Sequence, residues 1–273
     1  MARFIAAIDH SGGSTGGVLE RYGQNYTEAD KMIKVHAMRM RMVNSPDFND
    51  KNIWGAILYQ DTVTRGMVNI LDDMGIDSFL KIDSGCEESG MLKQFPVKQM
   101  LEWATKRTPE NGSIGAQIYG TKMRSIVKSV DMVRAILTQQ FQLAETICSY
   151  GLVPIIEPEV PIDHPEKAEI ERELHELLEK FLNEKHFKVI LKLTPPEIPN
   201  LYYNLTVHRN VRKVVFLSGG YSTGVACNKL SLNENVTASF SRALSQDLLY
   251  DLTDDEFNAT IRNNINLITE ASE

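Results

Sequence analysis

The feature that most constrains the fold of this chain is a repeated alternation between short β-rich runs and longer amphipathic stretches. Eight runs have this character: FIAAID (4–9), NIWGAILYQ (52–60), SFLKID (78–83), GAQIYGTKM (115–123), LVPIIEPE (152–159), KVILKLT (188–194), KVVFLSGG (213–220) and NVTASFS (235–241). Strands that alternate with helices form βα units and a parallel sheet. Eight units in 273 residues predict an α/β fold, a single (β/α)8 TIM barrel over residues 1–273. A doubly wound sheet is the alternative.

Three of the intervening stretches have a strong helical period. Residues 129–150 carry one apolar stripe, made of Val133, Ile136, Leu137, Phe141, Ala144 and Cys148. Pro165 suits the first turn of a second helix. Thr253 and Glu256 have the spacing of a capping box, which predicts the start of the last helix.

Composition and charge exclude several classes of protein. A net charge of -7 disfavours a general nucleic-acid binder, because phosphate backbones need a basic surface. No apolar run is long enough to span a bilayer, and Asp9 interrupts the first apolar run before a signal-peptide core could form. The cysteines Cys86, Cys148 and Cys227 are far apart and lack metal-ligand spacing. These features predict a cytoplasmic protein without a disulfide framework.

Polar residues follow apolar ones on the faces that the strands are expected to share. Ile5, Ala7 and Asp9 lie on one face of the first strand, and Val214, Phe216 and Ser218 are expected to do so on the seventh. The late positions form a ring of Asp9, Lys81, Lys122, Arg124, Glu157, Lys192 and Ser218. Single polar residues at strand ends, such as Asp83, Thr194 or Glu159, are more often solvated or capping. The whole set predicts an active site at the C-terminal mouth of the barrel.

Lys192 is the residue of this ring that most needs an explanation. It lies within the apolar strand KVILKLT, where burial lowers the pKa of an ammonium group, and a second ammonium nearby lowers it further. A neutral amine can attack a ketone and form a Schiff base. Glu157 could then shuttle protons, and Asp9 could accept the proton of a hydroxyl group.

A separate set of residues indicates a phosphate site. The sequence Ser-Gly-Gly follows the first strand at Ser11 and the seventh strand at Ser218, Gly219 and Gly220. Glycine allows backbone N–H groups to approach an anion closely, and barrels often bind phosphate in the loops after strands seven and eight. The loop after the eighth strand supplies Ser239, Ser241 and Arg242. The first Ser-Gly-Gly can equally be a plain turn.

Seven motifs follow one another along the chain: AAIDHSGGST, FLKIDSG, GTKMRS, GLVPIIEPEV, VILKLT, VVFLSGGYS and ASFSRAL. As a set they resemble class I fructose-bisphosphate aldolase, most closely its short bacterial form. The resemblance covers nearly the whole chain. It implies a (β/α)8 barrel and a metal-independent enzyme of glycolysis and gluconeogenesis, without a cofactor other than a covalent lysine imine. The implied partners are fructose 1,6-bisphosphate, dihydroxyacetone phosphate and glyceraldehyde 3-phosphate.

The resemblance also implies roles for individual residues. Lys192 would be the Schiff-base lysine and Glu157 the acid/base, with Lys122 orienting intermediates and keeping Lys192 neutral. Asp9 would serve carbon–carbon cleavage. The phosphate next to the ketone would be held by residues of the last two strands and their loops: Ser218, Gly219, Gly220, Ser239, Ser241 and Arg242. The sugar hydroxyls or the second phosphate would contact Lys81, Arg124 and Ser11, with Glu159 in support.

The chain departs from the family pattern at its end. Animal members end in a tyrosine that assists proton transfer, whereas this chain ends LITEASE. The group that exchanges the proton at the nucleophilic carbon is therefore open, as is the choice among fructose 1,6-bisphosphate, sedoheptulose 1,7-bisphosphate and fructose 1-phosphate. A homo-oligomer is compatible with the sequence, which does not give the oligomeric state.

Three alternative functions remain at the level of sequence. One is another Schiff-base barrel enzyme, similar to transaldolase or deoxyribose-phosphate aldolase, which two phosphate-accepting regions disfavour. A metal-dependent class II aldolase needs histidine ligands, and the six histidines here are scattered through helices and loops. A binding or scaffold role would be an addition to catalysis, since the catalytic set is intact.

Overall fold

Eight parallel strands form one sheet in this computed structural model, which describes residues 2–11, 13–105 and 117–272. The strands are β1 (Phe4–Ala7), β2 (Ile53–Leu58), β3 (Asp77–Lys81), β4 (Ile118–Ile126), β5 (Val153–Glu159), β6 (Val189–Leu193), β7 (Val211–Phe216) and β8 (Thr237–Ala238). Each strand pairs with the next one along the chain. The amide of Ala7 donates to the carbonyl oxygen of Phe240 at 3.0 Å, which joins the two edges of the sheet into a barrel. The barrel prediction is confirmed, since a doubly wound sheet would reverse its strand order.

Helices lie between the strands and cover the sheet. They are α1 (Gly13–Arg21), α2 (Lys31–Val43), α3 (Gln60–Thr64), α4 (Met67–Asp73), α5 (Val97–Thr105), α6 (Val133–Ser149), α7 (Lys167–Asn183), α8 (Tyr203–Thr206), α9 (Thr223–Ser231) and α10 (Asp254–Ala271). A 3-10 turn, Val130–Met132, precedes α6. Within the described ranges, none of these helices has the length and apolar character needed to cross a membrane.

The predicted helix starts are confirmed for α10 and wrong for α7. Thr253 accepts a hydrogen bond from the amide of Glu256, whose carboxylate accepts one from the amide of Thr253 at 2.9 Å. Pro165 lies before α7 instead of in its first turn. The amide of Glu166 donates to the His164 ring at 3.1 Å, so these residues form a turn and the helix begins at Lys167.

The interior of the barrel is a small apolar cluster, separate from the larger core between sheet and helices. It consists of Ile5, Ala7, Ile57, Phe79, Val153, Ile155, Ile190 and Val215. Phe79 is the largest of these, and it fits because glycines face it from both neighbouring strands. A Cβ atom at Gly55 or at Gly120 would lie 2.9 Å from its ring.

The predicted inward face of β7 is wrong. Val215 belongs to the interior cluster, whereas Val214 and Phe216 pack in the outer core beneath the helices. The prediction carried the strand alternation through to Ser218, but the extended strand ends at Phe216. Leu217 and Ser218 therefore both line the mouth of the barrel despite being neighbours in sequence.

Candidate active site

A cavity of about 250 Å³ opens at the C-terminal mouth of the barrel. Its lining includes nearly all the predicted site residues: Asp9, Lys81, Lys122, Arg124, Glu157, Glu159, Lys192, Ser218, Gly219, Gly220, Ser239, Ser241 and Arg242. Ser11 lies at its edge, where its hydroxyl accepts a hydrogen bond from the Lys81 ammonium at 2.7 Å. The residues come from the four strands β3 to β6 and from the loops that follow strands β1, β7 and β8. The structure thus brings the predicted set together.

Lys122 stands between two carboxylates at the centre of this cavity. Its ammonium lies 3.0 Å from Asp9 and 2.8 Å from Glu157, while the other carboxylate oxygen of Glu157 lies 3.3 Å from the Lys192 ammonium. All four side chains are buried. Strand alternation places them there, because Lys122 and Glu157 occupy inward positions on neighbouring strands and Lys192 does so on the next.

The two central acids are ionised in this arrangement. Burial by itself would raise the pKa of Asp9, but the charges of Lys122 and Lys192 outweigh it and place this pKa well below the usual range. The pKa of Glu157 is lowered in the same way, against the effect of its burial, chiefly by Lys122 and Lys192. Both carboxylates are therefore proton acceptors at neutral pH.

The two central lysines have opposite pKa shifts. Burial would lower the pKa of Lys122, but Asp9 and Glu157 more than compensate and raise it. Burial lowers the pKa of Lys192, and the Lys122 charge adds to that effect against the opposing charge of Glu157. Lys122 is thus held as a cation, while Lys192 gives up its proton more easily than an ordinary lysine.

Gln140 fixes the position of Glu157 and was not predicted from the sequence. Its side-chain carbonyl accepts a hydrogen bond from the Glu157 amide at 3.0 Å, and its side-chain amide donates to Ser125 at 2.8 Å. Gln140 is fully buried on α6. A signal was present, since Gln140 falls four residues after Ile136 within the apolar stripe of this helix.

His10 is a second residue that sequence reasoning missed. Its Nε2 lies 2.7 Å from the Ser241 hydroxyl, which links the loops after β1 and β8 across the seam of the barrel. The backbone carbonyl of His10 accepts from the buried guanidinium of Arg39. Burial, together with the Arg39 charge, lowers the pKa of His10 to about 3, so its ring is neutral at ordinary pH. The scattered histidines gave no sequence signal for this contact.

The loop after β7 has the backbone of an anion site. Gly219 and Gly220 have φ angles of 56° and 109°, in the left-handed region. A Cβ atom would lie 2.6 Å from Ile162 at Gly219 and 3.0 Å from the Arg242 guanidinium at Gly220. In the described part of the chain, neither amide donates a hydrogen bond. Both are available to an anion in the cavity.

Cationic and hydroxyl groups surround that loop. Arg21, at the end of α1, lines the cavity with Arg242, and burial together with the Arg242 charge lowers the pKa of Arg21. The buried Ser239 hydroxyl has no hydrogen-bond partner among the described residues. Two guanidinium groups near one another favour an anion between them. Arg21 was not predicted, because it belongs to a helix and not to a strand end.

A second polar group lies on the opposite side of the cavity. The Lys81 ammonium is 3.5 Å from Asp83, whose other carboxylate oxygen accepts from the backbone amide of Arg124 at 3.2 Å. Arg124 pairs with Glu159. Lys81 and Ser11 also border a groove of about 660 Å³ that extends to Trp103. Gly12 of the first Ser-Gly-Gly lies outside the described residues.

The chain is similar to known proteins both in sequence and in structure. No family model matches the chain. It is 44% identical over 285 residues to a fructose-bisphosphate aldolase class 1 of Synechocystis sp., which covers 98% of this chain and 93% of that protein. It is 41% identical over 285 residues to a fructose-bisphosphate aldolase class 1 of Clostridium acetobutylicum, with 98% and 95% coverage.

A solved structure with a similar fold is a ternary complex of fructose-bisphosphate aldolase from Plasmodium falciparum with TRAP and a small-molecule inhibitor. The TM-score is 0.76 at 20% identity, and the match covers 99% of this chain and 90% of that one. At this identity the likeness concerns the fold. In the part of the chain described here, no group of three or more His, Cys, Asp or Glu side chains is arranged to hold a metal ion.

Proposed function

The chain belongs to the class 1 fructose-bisphosphate aldolase family, and we propose on that premise how its own residues carry out the reaction. The protein is a lyase of glycolysis and gluconeogenesis that cleaves fructose 1,6-bisphosphate reversibly into dihydroxyacetone phosphate and glyceraldehyde 3-phosphate. One observation carries the assignment of roles. A buried lysine with a lowered pKa lies 3.3 Å from an ionised carboxylate at the mouth of the barrel.

Lys192 is the nucleophile. Its neutral amine attacks the ketone carbon, and Glu157 accepts the proton that the nitrogen loses as the carbinolamine forms. The ketone oxygen takes up one proton from solvent as the carbinolamine hydroxyl forms, and Glu157 then donates its own proton to this hydroxyl, which leaves as water and gives the iminium ion. The lowered pKa values of both groups support this exchange, because they increase the share of Lys192 present as the neutral amine and keep Glu157 ionised.

Asp9 and Lys122 serve the next step. The iminium ion accepts the electron pair of the carbon–carbon bond while Asp9 takes the proton of the hydroxyl group on the departing carbon. Lys122 holds the two carboxylates on either side of the reacting carbons, 3.0 Å from Asp9 and 2.8 Å from Glu157. Protonation of the resulting enamine and hydrolysis of the imine then release dihydroxyacetone phosphate.

The phosphate next to the ketone is bound by the loops after β7 and β8. The amides of Gly219 and Gly220 donate to its oxygens, as do the hydroxyls of Ser218, Ser239 and Ser241. Arg242 supplies charge, and Arg21 adds a second guanidinium from α1. This arrangement fixes the ketone carbon over Lys192, which lies in the same cavity.

Lys81, Ser11 and Arg124 bind the opposite end of the substrate, with Glu159 orienting Arg124. A cationic group on each side of the cavity favours a bisphosphate over a monophosphate. The expected result is a value of kcat/KM for fructose 1,6-bisphosphate at least about tenfold above that for fructose 1-phosphate. Equal values would mean that the second phosphate contributes nothing to binding and would contradict this assignment of Lys81, Ser11 and Arg124.

The reaction proposed here uses the Lys192 imine as its electron sink and requires neither a metal ion nor an organic cofactor. We assign the whole chain, residues 1–273, to one aldolase domain that acts in the cytoplasm. Its three free cysteines, Cys86, Cys148 and Cys227, support that location.

The test is the rate of fructose 1,6-bisphosphate cleavage, followed by release of dihydroxyacetone phosphate with and without a chelator. Lys192→Met removes the nucleophile and should lower kcat by about 10⁵-fold. The matched control is Lys188→Met, an exposed lysine just before the same strand, which should retain full activity. The chelator should have no effect. Loss of activity in chelator, or an active Lys192→Met variant, would overturn the mechanism.

A further inference from the structure

A second cavity, open to solvent on one side, lies at the N-terminal ends of the strands, opposite the catalytic mouth. Its volume is about 320 Å³, somewhat larger than the 250 Å³ of the catalytic cavity. It is lined by Ala2, Arg3, Trp54, Lys213, Asn233, Asn235, Val236, Thr237 and Ser272. The catalytic mechanism uses none of these residues.

Lys213 is the unusual residue of this N-terminal cavity. It lies two residues before Val215, so its side chain occupies the inward face of β7 at the other end of the barrel interior. Burial lowers its pKa, and no carboxylate opposes that effect. Within residues 2–11, 13–105 and 117–272, Lys213 forms no ion pair and no hydrogen bond through its side chain. A partly buried ammonium without a partner is costly, and a bound anion would offset that cost.

Other groups of the N-terminal cavity are also available to a ligand. The Thr237 hydroxyl is buried and has no hydrogen-bond partner among the described residues. The exposed Arg3 guanidinium donates a long hydrogen bond, 3.4 Å, to the carbonyl oxygen of Asp50. Trp54 closes one wall, with its ring edge-on to Phe79 at a centroid distance of 5.9 Å. Two cations and a free hydroxyl thus face one space.

Asp77 also lies at this end of the barrel, outside the lining of the N-terminal cavity. Burial raises the pKa of Asp77 and the Arg3 charge opposes that rise, so Asp77 offsets part of the charge of Arg3 but not that of Lys213. We propose that the N-terminal cavity binds a phosphate dianion, either free or as the phosphate group of a small monoester. Lys213 and Arg3 supply the charge, and the hydroxyl of Thr237 donates a hydrogen bond.

Trp54 provides the means to test this site. The chain has two tryptophans, so Trp103→Phe leaves Trp54 as the only indole. Inorganic phosphate is titrated into this variant while Trp54 emission is recorded, with sodium chloride at matched ionic strength as the control. The result expected is a saturable change with phosphate alone. Lys213→Met should weaken it at least tenfold, Lys213→Arg should retain it, and Thr237→Val should weaken it several-fold.

A further variant separates this site from the catalytic mouth. Arg242→Ala weakens phosphate binding at the mouth and should leave the Trp54 response unchanged. The proposal is overturned by a response equal to that of sodium chloride, by one that Lys213→Met leaves intact, or by one that Arg242→Ala abolishes. Thermal unfolding of each variant confirms that it is folded. Calorimetric titration of Arg242→Ala, with both tryptophans present, detects the same site if Trp103→Phe does not fold.

Discussion

Lysines enter the barrel interior from both of its ends, and the two differ in their surroundings. Lys192, on β6 at the mouth, is only 3% exposed and lies 3.3 Å from Glu157, with Lys122 on the other side of that acid. Lys213, on the neighbouring strand β7 at the opposite end, is partly buried and has no acid in contact among the described residues. Burial lowers the pKa of both ammonium groups.

The comparison shows that a lowered pKa does not by itself make a lysine catalytic. Imine formation needs a proton acceptor for the amine and a proton donor for the departing oxygen. Glu157 provides both at the mouth, whereas no carboxylate of the described residues contacts Lys213. The same strand architecture therefore supports covalent chemistry at one end and, in our proposal, anion binding at the other.

After the loss of Lys192 itself, the largest change is expected for the acid that distinguishes the two ends. Glu157→Gln keeps the shape of the side chain but removes the proton exchange with Lys192, and should lower kcat by about 10³-fold. The matched control is Glu159→Gln, two residues along the same strand, which loses its pair with Arg124. Glu159→Gln should mainly raise KM and leave kcat nearly unchanged. Steady-state kinetics give kcat and KM for each variant. An equal loss of kcat in Glu157→Gln and Glu159→Gln would contradict the role of Glu157.

A smaller effect is expected when the second ammonium at the mouth is removed. Lys122→Met removes a positive charge from Lys192 and frees Glu157 to interact with it more strongly, so both consequences raise the pKa of Lys192. More of the lysine is then protonated at any given pH. The acidic limb of the profile of kcat/KM against pH should move upward by about one unit, roughly a tenfold loss on that limb. A limb that stays in place or moves downward would refute this electrostatic role.

A still smaller change is expected at the seam of the mouth. His10→Ala removes the contact that positions the Ser241 hydroxyl at 2.7 Å. Loss of one hydrogen bond corresponds to about a threefold to tenfold rise in KM, with kcat nearly unchanged. His10→Gln should partly rescue the KM, and the effects of His10→Ala and Ser241→Ala should not add. Additive effects on KM would show that His10 does not act through the Ser241 hydroxyl.

The smallest effect concerns stability at the opposite end. Lys213→Met replaces a partly buried, unpaired ammonium with an apolar chain of similar length, so the free energy of unfolding should rise on the order of 1 kcal/mol. For a domain of this size that corresponds to about 2 °C in Tm by calorimetry in phosphate-free buffer. A fall in Tm would mean that Lys213 has a stabilising partner.

The sequence predicted the parts of the molecule that repeat. The eight strands and the polar ring at their C-terminal ends follow from a period of two within strands and from the alternation of strands with helices. The inward face of β7 could not be read correctly, because the period stops at Phe216. Gln140, His10 and Arg21 act through contacts between distant segments, which no local period records. Among the three, only Gln140 has a signal in the sequence, because it is a polar residue within the apolar stripe of its helix.

The most direct measurement is borohydride reduction of the protein with dihydroxyacetone phosphate, followed by mass mapping of the peptides that carry Lys192 and Lys213. Both lysines are then compared in one molecule and one reaction. One adduct is expected, on Lys192, while Lys213 stays unmodified. An unmodified Lys192 in protein that cleaves fructose 1,6-bisphosphate, or equal modification of both lysines, would contradict the claim that the neighbouring acid selects the catalytic lysine.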